Sequence, residues 1–175
     1  MQGNAEVRVH ELSEREQEIR DAFNSQSSQN LAGRMGITIL EASAERVVGT
    51  MPVEGNTQPY GILHGGASCV LAESLGSLGS ALNAGPGRVT VGIEINATHH
   101  RAARSGLVTG VATLAHGGRT MSTFDIVITD EDGKRICTAR LSCLHRDAVP
   151  GGSGAAVLGG SGAAVPDSGA APGGS

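Results

Sequence analysis

A small group of residues between positions 58 and 77 has the types and spacing that acyl-transfer chemistry needs. Gln58 lies six residues before His64, and Gly65 and Gly66 follow the histidine directly. Backbone N–H groups at the start of a helix stabilise a developing oxyanion, and glycine lets a substrate carbonyl approach without a Cβ in the way. Glu73, eight residues after Gly65, adds a carboxylate suited to nucleophilic attack or general-base catalysis.

Each of these features also has a plain structural interpretation. Two glycines can do no more than form a tight turn into a helix, with His64 as its cap. Glu73 can be an ordinary solvated side chain on a helix of low charge. The occurrence of Gln58, His64, both glycines and a lone acid together favours an active site. An isolated carboxylate among small residues is also where a second subunit, a sheet or a ligand can come close.

The element that must position Glu73 is a long helix over residues 65 to 87. Four leucines recur at i, i+4, i+7 and i+11 and form a narrow stripe that faces a core: Leu71, Leu75, Leu78 and Leu82. Most other residues of this segment are Ala, Gly or Ser, and Glu73 is its only charged residue. The helix is therefore predicted to be wrapped on most sides. Ser77, one turn after Glu73, shares its face.

Strands are predicted on both sides of this helix. Residues 34 to 53 are predicted as two strands, the first with apolar residues alternating at 35, 37 and 39. After GPG at 85 to 87, a cleanly alternating segment from Val89 to Ile95 leads into three strands separated by HGGR and DEDGK turns: 107 to 114, 121 to 129 and 135 to 144. With a short charged helix over residues 11 to 24, the predicted order is helix, two strands, long helix, three strands.

Composition divides the 175 residues into an N-terminal helical segment (1 to 30), one domain (31 to 149) and a tail (150 to 175). The tail repeats GGSGAAV and holds one charged residue, Asp167. It can bury too little to offset its ordering entropy, so we expect it to be flexible.

Charge and cysteine content exclude several classes of protein. Thirteen basic and seventeen acidic side chains give a net charge of −4, which offers no general reason to expect nucleic-acid binding. No apolar stretch is long enough to span a bilayer, and the polar N-terminus does not resemble a secretory signal. Cys69, Cys137 and Cys143 form no CxxC pair, so we expect reduced thiols, no metal site and a cytoplasmic location.

The segment HGGASCVLAESLGSLGSAL, from His64 to Leu82, resembles the central helix of hotdog-fold acyl-CoA thioesterases. The resemblance covers about residues 30 to 145 and is strongest to the 4-hydroxybenzoyl-CoA thioesterases whose carboxylate lies on this helix. It implies an α+β hotdog fold, in which an antiparallel β-sheet wraps around a long central helix. The D-x-D-like segment of the other 4-hydroxybenzoyl-CoA thioesterase type does not occur before the helix.

The resemblance also implies a role for each residue of the group. Glu73 would be the nucleophile or general base, and the Gly65 N–H would polarise the thioester carbonyl. Gln58 and His64 would support the oxyanion or the departing sulfur, while Ser77 would orient Glu73 or a water molecule. The active site would lie across the interface of a homodimer or homotetramer, with Gly65 from one subunit and Glu73 from the other. Coenzyme A would be part of the substrate, and no cofactor is expected.

Basic residues after the helix predict a second part of the site. Residues 88 to 119 hold four arginines and one acid, a net charge of +3. Arginine forks match phosphate oxygens, although solvated strand ends are an equal alternative. In the resembled family, the HHRAARSG segment and the HGGRT turn lie near the nucleotide. We therefore assign these residues to coenzyme A binding: Arg88, Thr90, His100, Arg101, Arg104, Gly118, Arg119 and Thr120. Tyr60 is expected to line the acyl pocket.

Three functions follow from these observations. Hydrolysis of an acyl-CoA is the prediction that the residues favour. They leave aryl and short or medium aliphatic acyl groups open, and the resemblance implies an aryl group such as 4-hydroxybenzoyl. A hotdog hydratase or dehydratase would bind the same ligands, but such enzymes pair His and a carboxylate at other spacings. A non-enzymatic acyl-CoA-binding module is the third function. Sensors of that class usually carry a fused DNA-binding module, for which the first 30 residues are too few and too acidic.

Overall fold

Six antiparallel strands form a single sheet that wraps around one long helix. The computed structural model describes residues 12–25 and 30–148. Across the sheet the strands follow the order β1-β2-β4-β5-β6-β3. Their bounds are β1 Thr38–Ala42, β2 Arg46–Pro52, β3 Arg88–His99, β4 Leu107–Gly117, β5 Met121–Thr129 and β6 Arg135–Asp147. The helices are α1 Glu14–Ser25, α2 Leu31–Arg34 and α3 Gly65–Ala84.

The architecture agrees with the predicted sheet around a helix, with one difference in the order of elements. Four strands follow α3 where three were expected, because the alternating segment before them forms the long strand β3. The short helix α2 was not predicted. No helix within residues 12–25 and 30–148 is long and apolar enough to cross a membrane. The predicted tail lies outside the described residues.

Helix α3 packs closely against the sheet through its leucines and two glycines. Leu71 and Leu75 are fully buried. A Cβ on Gly76 would lie 2.6 Å from the Leu141 side chain, and one on Gly79 would lie 2.6 Å from the Phe124 ring. Any larger residue at these two positions would have to move the helix away from β5 and β6. The prediction of an enclosed helix with a core-facing leucine stripe is confirmed.

The two edges of the sheet differ. At β1, the side-chain amide of Asn24 in α1 donates to the Ile39 carbonyl at 3.0 Å and accepts from the Ile39 N–H at 2.9 Å. At the other edge, β3 pairs with β6 on one side only. Val91 and Ile93 are 51% and 54% exposed. The alternation along β3 therefore marks an open edge, and Val91, Ile93 and Ile95 are exposed rather than part of the core of this subunit.

Glu41 is a buried acid whose charge is balanced by one arginine. It is 1% exposed on β1 and accepts a hydrogen bond from Arg46 Nη1 across the β1–β2 hairpin. The ion pair therefore joins a buried carboxylate to a guanidinium group that solvent can partly reach.

Replacing Arg46 by Met should lower the free energy of unfolding by about 3 kcal/mol, because it leaves the Glu41 carboxylate buried without a partner. The lower end of the usual range applies because the Arg46 side chain is 26% exposed, so water can reach the site. Urea denaturation of the parent, Arg46→Met and the double variant Glu41→Leu/Arg46→Met measures the effect. The double variant should recover most of the loss, and an unchanged midpoint for Arg46→Met would contradict the expectation.

A buried polar cluster joins α3 to β5 and β6. His145 on β6 is 4% exposed, and its Nε2 lies 3.0 Å from Ser122 Oγ and 3.3 Å from Ser80 Oγ. The two serine hydroxyls lie 2.7 Å apart. Burial, together with the positive charge of Arg88, lowers the pKa of His145 below its ordinary value of 6.5. The ring is therefore neutral at pH 7.

This lowered pKa should make stability depend on pH. Between the folded pKa of His145 and 6.5, the unfolded chain binds a proton that the folded chain does not. The free energy of unfolding therefore falls as the pH drops through this window, by at most about 1.4 kcal/mol per pH unit, and is unaffected by His145 above it. Denaturation in the neutral and mildly acidic ranges should show a smaller loss for His145→Asn than for the parent. Equal losses would contradict this prediction.

Candidate active site

The turn before α3 leaves backbone and side-chain donors at the start of the helix. His64 is the N-cap, and its Nδ1 accepts a hydrogen bond from the Gly66 N–H at 2.8 Å. In the neutral ring this bond leaves the proton on Nε2, so the exposed side chain keeps one donor for a ligand. The Gly65 N–H has no acceptor among the described residues, as expected in the first turn of a helix.

The loop that carries these donors is fixed to the end of β2. Asn56 Nδ2 donates to the carbonyls of Met35 and Pro52 at 2.8 and 2.9 Å. The Asn56 carbonyl accepts from the His64 N–H at 2.9 Å. Gln58 begins a turn that the Gly61 N–H closes with a 2.9 Å bond to the Gln58 carbonyl. The positions of Gln58 and of the start of the helix are thus set by hydrogen bonds to backbone carbonyls, two of which come from the Asn56 side chain.

A pocket of about 360 Å³ opens beside Gly65. Besides Gly65, it is lined by Gln58, Ile62, Leu63, Ser68, Ile136 and the segment from 99 to 103. The His99 ring lies against Gly65, where an added Cβ would be 2.8 Å from its Nε2. His99 was not among the predicted site residues, because the prediction placed the second histidine of the pair, His100, in the site. His100 Nε2 lies 3.0 Å from Thr138 Oγ1, although His100 also lines this pocket.

Glu73 lies beside a second and larger cavity, of about 880 Å³. Its Oε1 accepts a hydrogen bond from Ser77 Oγ at 3.4 Å, which matches the role expected of Ser77. The carboxylate rests against β3 at Gly92, where any Cβ would collide with Oε1. Gly92 also begins the irregular pairing of β3 with β6. A half-buried carboxylate facing a cavity, with one hydroxyl to orient it, is equipped to act as a base or a nucleophile.

Helix α1 supplies one wall of the larger cavity. Ile19, Phe23 and Arg15 line it from α1, opposite Leu78 and Leu82 of α3. The sequence predicted a surface helix here, and Ile19 is in fact buried. No motif marks α1 as part of a site, because its role depends on where the sheet and α3 place it.

The predicted catalytic residues fall into two separate groups. Gln58 and Gly65 line the smaller pocket, next to His64, whereas Glu73 and Ser77 line the larger cavity. The eight residues from Gly65 to Glu73 correspond to about 12 Å along a helix axis. One carbonyl group cannot contact both positions. Within one subunit, the predicted oxyanion donor and the predicted base therefore lie in different cavities.

The residues assigned to coenzyme A are divided in the same way. Arg88 and Thr90 line the larger cavity, whereas His100 and Arg101 line the smaller pocket. The eleven steps of β3 from Arg88 to His99 span about 36 Å. Arg104 is exposed but lines neither cavity.

The remaining assigned residues lie near Arg88 or in solvent. Arg88 Nη2 donates to the Arg119 carbonyl at 3.2 Å, and Arg88 Nε donates to the Arg146 carbonyl at 3.3 Å. Arg88 therefore holds the turn that contains Gly118, Arg119 and Thr120. Tyr60 is 84% exposed and lines neither cavity, so the subunit does not place it in the expected acyl pocket.

Comparison with known proteins identifies the family of the chain. Residues 60–137 match the family model described as Thioesterase superfamily. The chain is 46% identical over 123 residues to the proofreading thioesterase EntH of Cronobacter turicensis, covering 70% of this chain and 90% of that protein. It is 47% identical over 114 residues to a putative esterase of Deinococcus radiodurans, covering 65% and 72% of the two chains.

A solved structure with the same fold is that of thioesterase HI1161 from Haemophilus influenzae. It superposes with a TM-score of 0.70 at 37% identity and covers 73% of this chain and 90% of its own. A mutant of thioesterase PA1618 from Pseudomonas aeruginosa gives a TM-score of 0.68 at 40% identity, with coverage of 74% and 94%. The chain therefore belongs to the thioesterase superfamily and is a thioester hydrolase with the hotdog fold.

Proposed function

We propose that the protein hydrolyses acyl-CoA thioesters at sites shared between two subunits of a homodimer. The observation that carries the proposal is the division of the donors and the carboxylate between two cavities, with Gly65 in one and Glu73 in the other. Each half lacks what the other supplies. An oxyanion donor and a base on opposite sides of one thioester carbonyl are what hydrolysis needs.

The open strand β3 indicates how two subunits would bring Gly65 of one and Glu73 of the other together. Its unpaired edge and exposed Val91 and Ile93 fit antiparallel pairing with β3 of a second copy. Such pairing brings the Arg88 end of one strand beside the His99 end of the other. The half-site of Gly65 would then face the half-site of Glu73 from the partner. A homotetramer built from two such dimers is a further prediction, which light scattering measures.

In this arrangement the Gly65 N–H donates a hydrogen bond to the thioester oxygen as negative charge develops on it, with Gln58 close by. Glu73 of the opposite subunit takes a proton from water while the oxygen of that water adds to the carbonyl carbon. The C–S bond then breaks, the free acid forms, and the thiolate leaves near the His64 Nε2–H, which can donate to the sulfur. Direct attack by Glu73 through a mixed anhydride is the alternative. Incorporation of ¹⁸O from water into Glu73 distinguishes the two routes.

A subunit-mixing experiment tests the shared site. Glu73→Ala and Gly65→Pro subunits should each be inactive alone, because each removes one half of both sites. In a mixed dimer, one site combines the intact Gly65 with the intact Glu73, and the other site has neither. A verified mixed dimer should therefore recover about half of the parent kcat per dimer. No recovery in a verified mixed dimer would show that the site lies within one subunit.

The larger cavity is proposed to hold the acyl group. Its lining is mostly apolar and includes Phe23, Leu78 and Val89. An aryl group such as 4-hydroxybenzoyl fits this chemistry and is our proposed substrate class. Thiol release from a panel of aryl- and alkanoyl-CoA esters tests it, with higher kcat/KM expected for the aryl esters. Faster turnover of alkanoyl esters would overturn the aryl assignment, and no turnover of any ester by the parent would favour a binding module.

The basic residues support the coenzyme A part of the proposal. In the proposed dimer, Arg101 and Arg104 of one subunit approach Arg88 and the 118–120 turn of the other, which gathers charges that are far apart in one chain. Phosphate groups are the ligands that such a cluster recognises. The proposed reaction needs no cofactor. A cytoplasmic location is also proposed, since all three cysteines are free thiols.

A further inference from the structure

The buried His145 ring reaches beyond α3, to the turn between β4 and β5. Its Nε2 faces Ser80 and Ser122, as described above, so Nδ1 is the nitrogen left to face the nearby backbone carbonyls of Gly118 and Arg119. The backbone N–H of His145 donates to the Thr120 carbonyl at 2.8 Å. Through its ring and its backbone N–H, His145 thus contacts three successive backbone carbonyls of the turn.

The same turn is otherwise held by few contacts. The Gly118 N–H donates to the Met121 carbonyl at 2.9 Å, and Arg88 supports the Arg119 carbonyl from β3. The side chains of Arg119 and Thr120 are exposed and point away from the buried ring. The turn therefore presents polar side chains outward, while its backbone is fixed from within.

On its other side the cluster leads toward the catalytic carboxylate. Ser80 lies on α3, three residues after Ser77, and both serines lie near the thiol of Cys143. Ser77 in turn donates to Glu73. His145 is thus the residue at which contacts from the catalytic helix and contacts from the turn meet.

We propose that His145 is a positioning residue, which fixes the 118–120 turn against α3 so that the turn is preformed to bind the nucleotide end of coenzyme A. The proposal rests on the acyl-CoA hydrolase function proposed above. A preformed turn spares the substrate the entropy cost of ordering it, so loss of the Nδ1 donor should weaken binding of the nucleotide and leave the chemical step intact. The charged group that acts on the ring from a neighbouring element is Arg88 of β3, and the Cys143 thiol lies on the strand of His145 itself.

Two substitutions test the contacts of Nδ1 and Nε2 separately. In His145→Asn, the side-chain amide can take the place of Nδ1 and keep a donor to the turn, whereas contact with the serines is lost. In His145→Gln, the longer amide can take the place of Nε2 and keep contact with the serines, whereas the donor to the turn is lost. Ile128→Ala, a buried position at the far end of β5, serves as a control for general loss of stability.

Steady-state kinetics should be measured with an acyl-CoA and with the matching acyl-pantetheine thioester, which lacks the nucleotide. We expect His145→Gln to raise KM for the acyl-CoA by about 3- to 10-fold, with kcat unchanged and KM for the acyl-pantetheine unchanged. His145→Asn should have KM values close to those of the parent. Ile128→Ala should leave the ratio of KM for the acyl-CoA to KM for the acyl-pantetheine unchanged. Thermal denaturation verifies that each variant is folded at the assay temperature.

Several outcomes would overturn the inference. Equal rises in KM for both thioesters would show a general structural role, and equal KM values of the parent for both thioesters would show that nothing in the protein binds the nucleotide. Should neither His145 variant fold, Ser122→Ala and Thr120→Ala test the same turn, and no change in the ratio of the two KM values in either would also overturn it. A parent that hydrolyses neither thioester contradicts the proposed function itself, which the other outcomes leave standing.

Discussion

Replacing Glu73 by Ala is expected to lower kcat by about 100- to 10,000-fold while the protein stays folded. A positioned general base contributes a factor of this size, and a nucleophile contributes at least as much. The fold should tolerate the change, because Glu73 is only half-buried and its side-chain partner is the Ser77 hydroxyl. Ala is also a better helix former than most residues, so α3 itself loses nothing. Thiol release under substrate saturation measures the effect.

Two variants make this result specific to the carboxylate. Glu73→Gln keeps the size and the hydrogen bond to Ser77 but cannot accept a proton, so it should be as impaired as Glu73→Ala. Glu45→Ala removes an exposed carboxylate on the β1–β2 turn and should match the parent. Parent-like kcat for Glu73→Ala on every active substrate would exclude Glu73 from the mechanism.

Replacing Gly65 by Pro should lower kcat by about 100- to 1,000-fold, the usual cost of losing one oxyanion donor. Proline has no N–H, so the substitution deletes the donor that Gly65 is proposed to supply. The backbone is suited to it, because proline is favoured at the first position of a helix. His64, the preceding residue, has φ −68° and ψ 133°, which is the conformation that a residue before proline prefers.

The matched control for that variant is Gly65→Ala. It keeps the N–H and adds the same Cβ, which must displace the His99 ring because the two atoms would otherwise lie 2.8 Å apart. Any effect of moving His99 appears in both variants, whereas the loss of the donor appears only in Gly65→Pro. Similar kcat values for the two would show that the Gly65 N–H does not stabilise the oxyanion. Circular dichroism verifies that the helix content is unchanged.

Local features of the sequence were enough to predict the centre of the molecule. The leucine stripe and the lone Glu73 identified α3, and small residues identified its close packing, since Gly76 and Gly79 do contact Leu141 and Phe124. Glu73 and Ser77 are one turn apart on a helix, so their contact follows from sequence spacing alone. These predictions succeed because the interactions involved are set within one helix.

Features that depend on distant parts of the chain were not predictable in this way. The alternation of β3 is the same whether the strand is central or at an edge, so its exposure could not be deduced. His99 contacts Gly65 only because β3 ends beside the start of α3. Ile19 and Phe23 line a cavity because α1 docks beside the helix, and the sequence of α1 shows only a charged helix. Tyr60 was expected in the pocket on the basis of its ring, but its turn directs it to solvent.

The unequal edges of the sheet limit how the protein can associate. A sheet with two free edges can add copies at both ends, and each addition leaves a new free edge, so growth continues into a fibre. Here Asn24 occupies the backbone groups of Ile39 on one edge, whereas β3 is open along its length within residues 12–25 and 30–148. If two β3 strands pair, the outer strand at each end of the combined sheet is β1, where Asn24 already holds the Ile39 backbone. A further copy could add to this strand only by displacing the Asn24 amide, so the two hydrogen bonds of this side chain disfavour growth of the sheet beyond a pair.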